Sequence, residues 1–136
     1  MAGETRLFVA ADTDIVAARQ TGRELAAELG FSVTDLTLIA TAISEVARNI
    51  TTYAGHGEII LELVNEDGRH GLRVVARDEG PGIRDIERAL EDGYSTARGM
   101  GLGLPGARRL MDDFEIWSEP GRGTTVTMCK WLPGNG

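Results

Sequence analysis

Val33 to Tyr53, VTDLTLIATAISEVARNITTY, is the stretch that decides the fold. Leu36, Ile39, Ile43, Val46 and Ile50 recur in it at spacings of three and four, the repeat of a helix with one apolar face. Ser32, with Asp35 three residues on, resembles a loose capping box and opens that helix. At about 100° of rotation per residue, the apolar stripe centres about 120° from the face carrying Glu45 and Asn49, so this polar pair is expected to border the core rather than enter it.

Working outward, Arg6 to Ala10 is a short strand candidate, and Asp12 is the expected N-cap of a helix that runs to about Leu29 and stops at Gly30. Beyond the central helix, Glu58 to Val64 and Leu72 to Asp78 flank a turn at Asn65 to Gly68 and predict an antiparallel hairpin. Glu79 to Gly103 breaks this regularity, with one short helix expected from Asp85 to Leu90 inside a loop rich in Gly, Ser and Thr; long loops in compact domains are usually functional. A further helix is expected from about Leu104 to Met111, with Pro105 near its start where a missing N–H costs little. Strands from Phe114 to Ser118 and Thr124 to Trp131, joined across Pro120 to Gly123, complete the pattern.

The 136 residues suffice for one domain, 1–136, with a core that needs no disulfide. Eighteen glycines are nearly double the usual ~7%, so glycine is being used for geometry. A net charge of -7 without a basic stripe argues against nucleic acid as a partner. No segment approaches the ~20 apolar residues of a membrane span, and a cytoplasmic protein is expected. The single cysteine, Cys129, excludes an intrachain disulfide and is expected in the core. Trp117 and Trp131 are expected to pack, and His56 and His70 to lie at the surface.

Four islands carry candidate chemistry. On the central helix, the Asn49 carboxamide is a neutral oxygen ligand suited to Mg²⁺, and Glu45, one turn earlier, is placed to take a proton from a hydroxyl. Leu72, Val74, Ala76 and Asp78 share a strand parity, so the acid faces the core at the strand's end and needs donors there, such as the exocyclic amine of a purine. Gly80 and Gly82 follow it and remove side chains where a flat base would lie; a plain turn at Asp78 is the alternative. Gly99, Gly101, Gly103 and Leu104 lead into a helix whose N–H groups suit a phosphate, with Arg98 beside them and the Ser95 and Thr96 hydroxyls just before. In the fourth island, Gly121 to Thr125, the Thr124 hydroxyl opens the last strand and is expected to sit against the base.

Gly101, Gly103 and Gly106 also match the dinucleotide fingerprint, but no strand precedes them and only 17 residues remain beyond Glu119. A Walker A loop and a eukaryotic-type kinase both need a lysine on the phosphates, and the one lysine, Lys130, stands at the far end of the chain.

Taken in order, Glu45-x-x-x-Asn49, Asp78-x-Gly-x-Gly82, Gly99-x-Gly-x-Gly103 and Gly121-x-Gly-Thr124 resemble the N, G1, G2 and G3 boxes of the GHKL ATP-binding superfamily, over essentially the whole chain. Ser44 to Asn49, Tyr53 to Gly55, Glu91 to Thr96 and Gly101 to Phe114 further resemble the RsbT-type switch kinases of bacterial stress signalling. The resemblance implies an α/β fold of the two-layer α+β kind, a mixed and largely antiparallel sheet with helices on one face, and ATP under a short lid at about 83–98. It implies that Asn49 is the Mg²⁺ ligand, Glu45 the general base, Asp78 the adenine-reading acid and Thr124 its helper. It further implies a kinase that phosphorylates serine or threonine on a STAS-domain antagonist and, once released, activates a PP2C-type phosphatase. An ATP-gated anti-sigma factor with little or no transfer is the alternative within the same family. Leu102 stands where a smaller residue is expected in RsbT-type chains, which bears on lid movement.

Overall fold

A computed structural model describes residues 4–83, 90 and 103–134. Strand β1 (Glu4–Val9) is followed by helices α1 (Asp12–Leu29) and α2 (Val33–Tyr53), hairpin strands β2 (Gly57–Glu66) and β3 (Arg69–Asp78), helix α3 (Gly103–Leu110), and strands β4 (Asp113–Glu119) and β5 (Gly123–Trp131). The expected central helix is present with the expected bounds, and Ser32 caps it by accepting the Asp35 N–H at 3.1 Å. α1 begins differently. Its N-cap is Ala11, which has no side chain to offer, and Asp14 instead reaches back to accept the Ala10 and Ala11 N–H groups at 2.9 and 3.0 Å. Asp12 is therefore inside the first turn. At the other end Gly30 is left-handed, and Phe31 and Gly30 donate to the Ala26 and Ala27 carbonyls in a Schellman closure.

The sheet order is β1-β2-β3-β5-β4, and every pairing is antiparallel, so the parallel component of the expected mixed sheet is absent among the described residues. Tight hairpins make β2–β3 and β4–β5 antiparallel, while β1–β2 and β3–β5, joined through longer connections, also run antiparallel. The β2–β3 turn narrows to Asp67 and Gly68, both at positive φ, the primed geometry that matches strand twist. Leu7, Ile59, Ala76, Val126 and Ile116 lie in one row across the five strands and face the core. Ile39, Ile43, Val46 and Ile50 of α2 and Ile15, Ala18 and Ala26 of α1 pack onto that face, with Leu104 and Ala107 of α3 beside them.

No described helix covers the opposite face, which carries ion pairs of Arg6 and Arg77 with Glu58 and of Arg73 with Glu62. Trp117, expected to pack, is 52% exposed there. Trp131 does pack, under the Arg69 guanidinium at 4.1 Å. Cys129 is buried between Arg73 and Asp113 in the same register row, and desolvation pushes its thiol up to about 11 against a partial offset from Arg73.

Candidate nucleotide site

The site grows from one end of the sheet. Strand register sets Val9, Gly57, Asp78, Thr124 and Ser118 side by side across all five strands. Parity alone turns Asp78 and Thr124 inward, and they are 8% and 4% exposed. A carboxylate there needs donors. Asp78 Oδ1 accepts the Gly80 N–H at 2.9 Å, while its other oxygen has no partner among the described residues yet is not sealed from solvent. One satisfied and one open oxygen is an arrangement that fits a donor arriving from a ligand.

The Thr124 hydroxyl bonds Ser118 Oγ at 2.9 Å. Ser118 also accepts the Ile83 N–H at 2.7 Å and donates to the Gly123 carbonyl at 3.0 Å, which leaves Thr124 as the donor between the two hydroxyls. Among the described residues no group donates to the Thr124 oxygen. Ser118 was not a sequence candidate, although hairpin pairing across Pro120–Gly123 would have put it opposite Thr124. It ties the first glycine segment to the last, helped by Gly121 N–H donating to Pro81 O at 2.7 Å.

The glycines of these segments answer to close protein approaches. A Cβ on Gly80 would stand 2.5 Å from Ala54 Cβ, one on Gly82 would meet the Glu119 carbonyl, and one on Gly123 would meet the Asp78 carbonyl. These contacts give the glycines a plainer role than the expected clearing of space for a flat base: they let loop backbones lie against one another and against the end of α2. Gly57 does the same for Ile50 of α2, whose Cγ2 would lie 2.9 Å from an added Cβ.

The second half of α2 therefore runs over the Asp78 end of the sheet, with Ile50 above Gly57 and Ala54 against Gly80. Asn49 sits just before Ile50, is half-buried, and its carboxamide has no hydrogen-bond partner among the described residues. Glu45 departs from the expectation. Rather than bordering the core, it is 8% exposed, because α3 packs on that side of α2 and helical periodicity could not foresee the neighbour. Its Oε1 accepts the Gly103 N–H at 2.8 Å, and its Oε2 is 3.2 Å from Arg48 Nη1. The Gly103 amide, expected to face a phosphate, is thus held by Glu45. Leu104 is a core residue, so its side chain is turned away from any ligand and its backbone alone is left for one. Ser95, Thr96, Arg98, Gly99 and Gly101 lie outside the described residues, as do Leu102, the 83–98 lid apart from Ile83 and Leu90, and the 85–90 helix apart from Leu90.

Among the described residues no cluster of three or more His, Cys, Asp or Glu side chains forms a metal cage. A carboxamide oxygen is a ligand type that suits Mg²⁺, which binds through one or two protein ligands together with substrate phosphates and waters.

Three helices laid on one face of a five-stranded antiparallel sheet suit a histidine kinase-like ATPase domain, and the chain belongs to that family, matching it over residues 8–130. Within the family the chain is similar to the serine/threonine-protein kinase RsbT of Bacillus subtilis (strain 168), 56% identical over 119 residues that span 88% of this chain and 90% of the relative. It is also similar to the anti-sigma F factor of Caldanaerobacter subterraneus subsp. tengcongensis, 31% identical over 124 residues, 87% and 85% of the two chains. The much stronger likeness to the kinase makes this chain an ATP-dependent serine/threonine protein kinase. In fold it matches a chain from the crystal structure of the SiaB-SiaC complex of Pseudomonas aeruginosa, with a TM-score of 0.53 at 13% identity, covering 95% of this chain and 89% of that one. No described helix is long and apolar enough to cross a membrane.

Proposed function

We propose that the chain, acting as a single domain with 83–98 as its lid, uses Mg²⁺ and ATP to phosphorylate a serine or threonine of a STAS-domain antagonist, and that its released form activates a PP2C-type phosphatase in the cytoplasm. The observation that carries this reading is the convergence on α2 of a buried carboxylate, an open carboxamide and the Asp78–Thr124 end of the sheet.

Each residue then has a task. Asp78 offers its open oxygen to the adenine amine, and Thr124 offers its lone pairs beside it. Asn49 supplies the protein ligand to Mg²⁺, whose charge neutralises the phosphates in a chain that has no lysine nearby. Glu45 accepts the proton of the acceptor hydroxyl as that oxygen bonds the γ-phosphorus and the bond to the β–γ bridging oxygen breaks, leaving ADP; the proton then passes to solvent. Both Glu45 oxygens already accept one donor, and each retains a second lone pair. Gly80, Gly82, Gly99, Gly101 and Leu104 present backbone to the nucleotide, with Ser95, Thr96 and Arg98 contacting it from the lid, while Gly103, its N–H held by Glu45, serves by turning the chain into α3.

Labelled ATP with a STAS-domain antagonist tests this. Rapid transfer to the antagonist is expected. Nucleotide-dependent complex formation without transfer would instead favour the anti-sigma reading to which the anti-sigma F relatives point.

A further inference from the structure

Glu45 is held from two sides. One holder, the Gly103 N–H, comes from α3; the other comes from three residues further along α2, where Arg48 Nη1 donates to Oε2 at 3.2 Å. A carboxylate pinned through one oxygen still turns about its last torsion, which is broad and roughly two-fold. A second donor on the other oxygen fixes the plane of the group. We propose that Arg48 is a positioning residue for phosphotransfer, setting the orientation of the Glu45 carboxylate while itself touching neither substrate nor nucleotide. The proposal rests on the reading of Glu45 as the base.

Exposure supports the division of labour. The Arg48 side chain is 38% exposed and that of Glu45 9%, so the guanidinium reaches in from the rim to a carboxylate that water scarcely reaches. A pair between neighbours on one helix, with one partner in solvent, adds little to stability. Its loss should leave the fold intact and show in turnover. Arginine suits this post because its planar fork is directional and its charge permanent, whereas a lysine would supply the charge from a flexible stem. The same helical turn thus holds the base at Glu45, its holder at Arg48 and the open carboxamide at Asn49.

The test uses the full chain with the STAS-domain antagonist that it phosphorylates, and a fluorescent ATP analogue for binding. Arg48→Ala is expected to lower kcat about tenfold, the loss of one charge-assisted hydrogen bond, with KM for ATP and analogue affinity changed less than about twofold. Arg48→Lys should recover part of the rate. In a Glu45→Gln background, where no base remains to orient, Arg48→Ala should cost nothing further, a non-additivity that general structural damage would not give. Arg48→Gln, which keeps a donor, replaces the alanine variant if the latter fails to fold. Wild-type turnover of Arg48→Ala beside an inactive Glu45→Gln overturns this inference and leaves the base reading standing. Wild-type turnover of Glu45→Gln removes both. A loss seen in analogue affinity rather than kcat makes Arg48 a nucleotide contact and also overturns the proposal.

Discussion

Glu45→Ala probes a contact that joins two helices, and its effect on stability is separable from its effect on catalysis. The substitution removes the acceptor of a buried N–H at 2.8 Å and the partner of Arg48 at 3.2 Å. A hydrogen bond to a charged group contributes about 1.5 to 3 kcal/mol, and an exposed ion pair within one helix a few tenths more. Relief of the buried charge offsets part of this, leaving about 2 kcal/mol of destabilisation. With an unfolding entropy of about 2.1 cal/mol/K per residue over 136 residues, that corresponds to a drop in Tm of about 7 °C. Glu45→Gln keeps an oxygen for the Gly103 N–H and should lose less than half as much. Both variants should lose transfer by ~10²- to 10⁴-fold. Calorimetry without nucleotide reads the first effect and phosphotransfer the second. An alanine variant melting within about 1 °C of wild type would refute the claim that Glu45 fastens α3 to α2.

Three further outcomes are expected. Asp78→Asn should weaken ATP binding by about 1 to 3 kcal/mol in titration calorimetry with Mg²⁺, because an amide turned toward the adenine amine mismatches the desolvated pair; unchanged affinity removes Asp78 from base reading. Gly123→Ala forces a side chain onto a residue at φ 121 and against the Asp78 carbonyl, and should cost at least ~2 kcal/mol in urea unfolding, whereas a loss below about 0.5 kcal/mol would contradict the loop packing described. Cys129 has a folded-state thiol raised from 9.0 to about 11, so the unfolded chain ionises first. Stability from this group is complete below about pH 9 and declines by roughly 2 to 3 kcal/mol as pH rises to about 11. Cys129→Ala should lack that decline, and matching pH profiles for the two proteins would show the thiol to be solvated.

The elements themselves were legible in the chain, since α2, the two hairpins and the Gly30 stop depend on local periodicity, capping and turn chemistry. The inward direction of Asp78 followed from strand parity, a period-two property that needs no tertiary information. What local pattern could not supply was whatever a distant segment brings. The burial of Glu45 depends on α3 arriving from 58 residues away, and the need for glycine at 80, 82 and 123 depends on which backbones come to lie beside them. Asp14 rather than Asp12 caps the entry of α1 because the chain turns there from β1, a matter of geometry between equally suited acids. Sequence by itself thus determined the helices, the strands and the residue types able to meet a nucleotide. Tertiary structure alone decided that Asp78, Thr124 and the end of α2 come together at one end of the sheet and which amide Glu45 holds, because packing partners far apart in the chain are set by the fold as a whole and not by any local repeat.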